Sequence, residues 1–221
     1  MSDFQKFLFE GLPVRGMLVR LTDSWQTLQS RREQPMPPAV MRLLGEMSAC
    51  ALLLQSNLKF DGALILQVQG DGPVKLAVAE ARNGLAYRAT AQVRGTVAAE
   101  ADLAAMVNPL GQGRCALTLD PSDRQRGVQP YQGVVALQDD AGRPFPRLAQ
   151  AVEHYMKQSE QLEYNRLRRS GEIFSNYVTE GDGLRVAAAN RQPVFDVPGA
   201  NAAKQAAQFR ALAKEFLRVC L

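Results

Sequence analysis

The sequence predicts an α+β protein: a mostly antiparallel sheet packed with two long helices, followed by a linker and an amphipathic carboxy-terminal helix. Three observations predict it. Stretches that alternate apolar and polar residues recur along the chain and are joined by short turns. Short joins imply antiparallel pairing, because parallel strands need a long crossover. Two stretches, from Pro38 to about Leu58 and from Pro146 to about Arg168, instead place apolar residues three and four apart. That is the period of a helix face. Finally, Gln192-Pro193, Val197-Pro198-Gly199 and Asn201 form a linker-like stretch before a last helical pattern.

The elements follow in order. Val14 to Leu21 alternates imperfectly but is rich in valine and leucine, which favours a strand. Thr22-Asp23-Ser24 offers capping oxygens for a short helix through Trp25, Leu28 and Arg31. Pro35, Pro37 and Pro38 break the chain, and Pro38 suits a first helical turn. The helix that follows carries Val40, Leu43, Leu44, Met47, Ala51 and Leu54 on one face, with Cys50, Leu52 and Leu53 on others. A helix apolar nearly all round is expected to lie between other layers. Strands are expected near 63–69, 74–80 and 85–94, the last two joined at Asn83-Gly84, a strong hairpin signal. Ala99 to Val107 reads as a short helix ended by Asn108-Pro109. Arg114 to Leu119 and Val128 to Leu137 alternate as strands. The second long helix follows Asp139-Asp140-Ala141-Gly142, with Leu148, Ala151, Val152, Tyr155, Met156 and Leu162 on its apolar face. Gly171 to Val178 and Leu184 to Ala188 are expected to form a closing hairpin. Ala202 to Leu221 is an amphipathic helix. The domains expected from this are a core over 1–190 and a linker with terminal helix over 191–221.

The totals exclude several function classes. A chain of 221 residues, 46% hydrophobic and 22% charged, can bury a sizeable core. The net charge of +4 is mild, and no Lys/Arg run is interleaved with stacking aromatics, so no nucleic-acid partner is expected. The apolar run Ala49 to Leu54 is too short to cross a bilayer. Met1 to Lys6 lacks the pattern of a signal peptide, and a cytoplasmic location is expected. Cys50, Cys115 and Cys220 are an odd number at wide spacing, which is no disulfide framework.

Five short motifs carry a family likeness. They are Phe7-Leu8-Phe9-Glu10 with Val14-Arg15-Gly16, Lys59-Phe60-Asp61-Gly62, Gln69-Gly70-Asp71-Gly72-Pro73, Tyr131-Gln132-Gly133-Val134-Val135-Ala136-Leu137, and Tyr155-Met156-Lys157-Gln158-Ser159-Glu160-Gln161-Leu162. In this order they resemble the amino-terminal domain of the heat-shock protein 33 family of redox-regulated chaperonins. The resemblance runs to about residue 162 and implies an ATP-independent holdase that binds unfolded client proteins. It also implies a homodimer and a separate carboxy-terminal zinc module held by a Cys-x-Cys and a Cys-x-x-Cys pair. Neither pair occurs in these residues, so no zinc ligand and no cofactor is assigned to any position.

The residues themselves give no catalytic set, and the protein is not expected to be an enzyme. His154 is a lone histidine inside the second long helix, with no cysteine nearby to share a metal. Cys50 and Cys115 are expected to be buried structural thiols, and Cys220 an exposed terminal one. Gly70-Asp71-Gly72 and Gly111-Gln112-Gly113 lack the spacing of a phosphate loop and read as turns. Turn and cap roles are expected of Asp61, Asp71, Asp139 and Asp140. The terminal helix supplies the candidate site: Phe209, Leu212, Phe216 and Val219 form an apolar face that must be buried against something. Either it docks on this chain's own sheet, or it meets a client or a second subunit, with exchange through the hinge at Pro193, Pro198 and Gly199. A holdase acting through apolar surface, without the zinc switch, is therefore the expected function. The alternative is a non-chaperone α+β binding or assembly module with the same fold.

Overall fold

The computed structural model describes residues 3–8, 14–57, 61–122, 130–159, 174–180 and 183–191. In chain order these form β1 (Asp3–Leu8), β2 (Val14–Leu21), α1 (Asp23–Ser30), α2 (Pro38–Asn57), β3 (Gly62–Gln69), β4 (Val74–Arg82), β5 (Tyr87–Val93), α3 (Leu103–Val107), β6 (Arg114–Pro121), β7 (Tyr131–Val135), α4 (Leu148–Ser159), β8 (Phe174–Glu180) and β9 (Gly183–Arg191). All strand pairings are antiparallel. They make two sheets rather than one, a four-stranded sheet in the order β1-β2-β9-β8 and a five-stranded sheet in the order β5-β4-β3-β6-β7.

Helix α2 explains why two sheets suffice for one core. It touches β2 and β9 of the first sheet and β3, β4 and β5 of the second. Its Ala39, Val40, Leu44, Met47, Ala49 and Ala51 are fully buried. The sequence expected such a helix to lie between layers, and it does. Strands β3, β4 and β6 send Leu64, Leu66, Val68, Ala77, Ala79, Ala81, Cys115 and Leu117 into the same core. Helix α4 closes that core with Leu148, Ala151 and Val152.

The family motifs turn out to be joints. Phe7 of β1 stands opposite Gly16 of β2 in the first hairpin. Asp61 accepts from Asn83 Nδ2 at 2.9 Å, and its carbonyl accepts from Ser122 N at 3.0 Å. Asn83 Oδ1 in turn accepts from Gln55 Nε2 of α2 at 2.9 Å. One aspartate thus ties the start of β3 to the β4–β5 turn and the end of β6. At the other end of β3, Gly70 N donates to Lys75 O at 3.0 Å and Asp71 N to Val107 O at 3.1 Å. The Asp71 carboxylate accepts from Gln112 N at 2.6 Å. Gly70 and Gly72 are there because backbone passes too close for any side chain: a Cβ on Gly70 would lie 2.0 Å from Val74 O, and one on Gly72 2.5 Å from Met106 O. Gly133 of β7 faces Tyr155 of α4, where a Cβ would lie 2.1 Å from the phenol oxygen. The fourth and fifth motifs therefore pack on each other.

Several elements differ from expectation. Strand β1 was not expected; its Asp3, Gln5 and Lys6 interrupt the apolar pattern, yet all six residues pair with β2. Helix α3 starts at Leu103, not Ala99, because the Asp102 carboxylate caps Ala105 N at 2.8 Å. Thr22 occupies the N-cap of α1 but makes no side-chain cap bond. The Asn83-Gly84 hairpin widens into a three-residue 3-10 turn through Leu85, with positive φ at both Gly84 and Leu85. The closing hairpin exists as β8 and β9, and β9 inserts beside β2.

Candidate functional site

Among the described residues, the five-stranded sheet has one buried face and one open face. On the open face the register aligns three rows of side chains. Gln92, Leu76, Gln69 and Arg114 form one row; Thr90, Val78, Gln67, Ala116 and Val134 the next; Arg88, Glu80, Ile65, Thr118 and Gln132 the third. Of these only Glu80 is buried; the rest are half-buried or exposed. Val134, on the edge strand β7, is 69% exposed. Leu76, Val78, Ile65, Ala116 and Val134 thus make a discontinuous apolar track across β4, β3, β6 and β7. Glutamines and threonines interrupt it, and Gln132 Nε2 donates to Thr118 Oγ1 at 3.3 Å.

Further apolar side chains are exposed at the sheet's ends. Leu110, 72% exposed, projects from the loop held by Asp71, whose carboxylate accepts from Leu110 N at 3.4 Å. Tyr131 and Leu85 are also exposed. Exposed apolar residues scattered singly are ordinary, but a track on one open sheet face is a feature of binding surfaces.

One charged knot sits at a corner of this face. Glu80 accepts from Arg82 Nε at 2.6 Å and from Arg88 Nε at 2.9 Å, with Arg88 Nη2 closing a second bond at 2.5 Å. Burial by itself pushes the Glu80 carboxyl up, but the two guanidinium groups outweigh it and hold the group below the usual range. The knot is a cross-strand clamp between β4 and β5, not a reactive acid.

No reactive constellation stands out among the described residues. They include no group of three or more His, Cys, Asp or Glu side chains placed to hold a metal. His154 is more enclosed than a surface histidine: its side chain is 18% exposed, its ring lies 5.4 Å from Phe145, and its Nε2 is 3.4 Å from Asp140 Oδ1. Cys50 and Cys115 are buried. Desolvation, with a smaller push from neighbouring Cys50, raises the Cys115 thiol to about 12, so it is not a nucleophile at neutral pH. Asp139 serves its loop, accepting from Ala141 N and Arg143 N, the turn role expected of it. Phe209, Leu212, Phe216, Val219 and Cys220 lie outside the described residues.

The sequence likeness extends well beyond the five motifs. The family model described as Hsp33 protein matches residues 2–165. The chain belongs to the Hsp33 family. Among curated proteins, the 33 kDa chaperonin of Chromobacterium violaceum is 44% identical over 169 residues, covering 76% of this chain and 53% of the relative. The 33 kDa chaperonin of Aliivibrio fischeri is 42% identical over 171 residues, covering 77% and 54%. The chain therefore spans about half the length of the curated Hsp33 relatives it matches. The crystal structure of the 33 kDa chaperonin from Thermotoga maritima superposes with a TM-score of 0.57 at 16% identity, over 85% of this chain and 60% of that one. At that identity the agreement concerns the Hsp33 fold.

Sequence reasoning did not find the open face. Each of its strands was expected, but the face is a product of register, which alternation alone does not fix between non-adjacent strands. The signal available was the parity of Ile65, Gln67 and Gln69 against Leu64, Leu66 and Val68.

Proposed function

We propose that the chain is an ATP-independent holdase that binds unfolded proteins through apolar surface and keeps them from aggregating. The observation that carries this is the open face of the five-stranded sheet, with Val134, Val78, Ile65 and Leu76 accessible in a fold whose relatives are named chaperonins. Mass action supplies the mechanism: a partner that binds only unfolded chains lowers their free concentration and slows their self-association. The glutamines and threonines between the apolar positions suit this, because their amides and hydroxyls bond to peptide groups of any sequence. In this reading the face Phe209, Leu212, Phe216 and Val219 adds to the binding surface or exchanges between the protomers of a homodimer. In this reading the protein acts in the cytoplasm. No described helix is long and apolar enough to cross a membrane. Protection by this chain does not depend on oxidation, since neither cysteine pair of a zinc switch occurs among its residues.

The test is light scattering of a heat-denatured client with and without the protein. Val134→Glu, at an exposed site, should leave the melting temperature unchanged and weaken protection; peroxide should change neither. Equal protection by wild type and by a combined Val134→Glu, Val78→Glu variant, or strong dependence on peroxide, would overturn this reading. The interleaved polar positions also favour a second reading, a binding or assembly module of the same fold without chaperone activity. In that case no client is protected, and a hydrophobic dye binds weakly at room temperature.

A further inference from the structure

A second surface adjoins the open face at its β5 side, where α1 approaches the edge of the five-stranded sheet. Together they line an open groove of about 680 Å3. Among the described residues its lining includes Arg31, Arg32 and Arg88, the hydroxyl residues Ser24, Thr27, Tyr87 and Thr90, and no acidic residue. The cations are not equivalent. Arg88 is engaged by Glu80, whereas Arg31 is exposed. Arg32 is half-buried: it donates from Nη2 to Ala89 O at 3.0 Å and from Nη1 to the Met36 sulfur at 3.4 Å. Its Nε is buried and has no hydrogen-bond partner among the described residues. A guanidinium whose strongest partners are a carbonyl and a thioether is under-satisfied, because its five donors match a carboxylate far better.

The backbone beside it is open as well: among the described residues β5 is an edge strand, with no further strand on its outer side. Arg82 N donates to Ala86 O, and Arg94 N to Pro73 O, so even-numbered residues of this segment face β4. Ala89 therefore faces away from β4, as its bond from Arg32 requires. By the alternation of an antiparallel ladder, Ala91 and Val93 do the same. An unpaired strand edge accepts an extended peptide by main-chain bonding.

We propose that this groove receives an extended peptide segment rich in Asp and Glu, whose backbone pairs with the free edge of β5 and whose carboxylates meet Arg31 and Arg32. The bonding balances. An incoming N–H takes over Ala89 O, which releases the Arg32 guanidinium to a carboxylate instead of leaving a carbonyl unpaired. The inference is independent of the chaperone reading, which rests on the opposite kind of contact and on the sheet's open face.

The experiment is fluorescence anisotropy with the 221-residue chain at low ionic strength. The probes are a dye-labelled peptide alternating Glu and Thr and its Gln/Thr counterpart. The acidic peptide should bind, its affinity should fall steeply with added salt, and the Gln/Thr peptide should bind about tenfold or more weakly. Arg31→Glu, at an exposed site, should also cost about tenfold. Ala91→Pro removes an outward N–H without breaking a bond to β4, and should weaken binding comparably. Circular dichroism confirms that each variant is folded; if the proline variant is not, Arg31→Glu and the peptide pair decide. Equal binding of the two peptides, no binding of either, or no effect of Arg31→Glu overturns the proposal. So does full competition by inorganic phosphate or citrate with a folded Ala91→Pro variant unaffected, which would mark a site for free anions.

Discussion

Replacing Gly70 by alanine should be among the most damaging single-methyl changes in the described fold. The added Cβ would sit 2.0 Å from Val74 O, 3.1 Å from Val107 Cα and 3.2 Å from Val107 O. All three are backbone atoms, so no side chain can swing aside. Ordinary contact begins near 3.4 Å, and the β3–β4 turn must open by about 1.4 Å to reach it. That movement breaks or stretches Gly70 N to Lys75 O and Asp71 N to Val107 O. Overpacking of this kind costs about 1–3 kcal/mol, and each lost hydrogen bond about 1 kcal/mol. The sum is about 3–5 kcal/mol, which for a domain of this size lowers the melting temperature by roughly 6–20 °C. Thermal unfolding followed by circular dichroism reads it directly. Gly84→Ala is the control: nothing lies within 4 Å of its Cβ, and only the φ of +77° resists. It should cost about 1–2 kcal/mol. If Gly70→Ala melted within about 2 °C of wild type, or above Gly84→Ala, the close-approach account of this motif would be wrong.

Three other outcomes follow from the titratable groups. Burial raises the Glu46 carboxyl, opposed by Arg147, by its bond from Leu148 N and by Arg42. A raised acid favours the fold below its unfolded pKa and loses that advantage as pH rises through the folded one. Glu46→Gln keeps an acceptor for Leu148 N, so at pH 8 it should melt above wild type, with the gap closing near pH 4; a variant less stable at pH 8 refutes this. Glu80 has the opposite sign: its lowered pKa contributes stability above the unfolded value, lost as pH falls through the folded one. Glu80→Gln should cost about 1–2 kcal/mol at pH 7, and that cost should shrink in melts below pH 4. Cys115, with its thiol at about 12, should stay unlabelled by a maleimide at pH 7.5 in the folded protein and react in urea, as peptide mapping would show; rapid native labelling at Cys115 would contradict its burial.

Local signals and long-range pairing were unequally legible. Helix α2 was plain because twenty residues of one periodic pattern outweigh any single ambiguity. The turns at Asp61 and Asp71 were plain because glycine beside a carboxylate has few other uses. Strand β1 was hidden because Asp3-Phe4-Gln5-Lys6-Phe7-Leu8 has no clean alternation. Its identity depends on β2 being there to pair with. The split into two sheets was hidden for a related reason. Val14 of β2 is opposite Arg191 of β9, across most of the chain, and nothing within either segment names the other. The open face depends on the same kind of fact, since Val134 and Val78 share a row only through the intervening strands β6 and β3.

The position of the motifs also constrains where activity can reside. Asp61, Gly70, Asp71, Gly72, Gly133 and Tyr155 all hold a turn or a helix–sheet contact. A family likeness carried by joints reports a scaffold. The buried charge follows the same logic: Glu80 is neutralised by two guanidinium groups and Cys115 is kept as a thiol. What the scaffold leaves unsatisfied is surface: an apolar track on one sheet face, and around β5 a strand edge with an under-used guanidinium. The two make opposite demands on solvent. Apolar contact is insensitive to added salt or strengthened by it, whereas a carboxylate–guanidinium contact at an exposed edge is screened. Raising sodium chloride from 50 to 500 mM should therefore leave client protection intact while releasing the acidic peptide. If both fell together with salt, the two surfaces would have to be one electrostatic site, and the assignment of the client surface to the apolar track would fail with it.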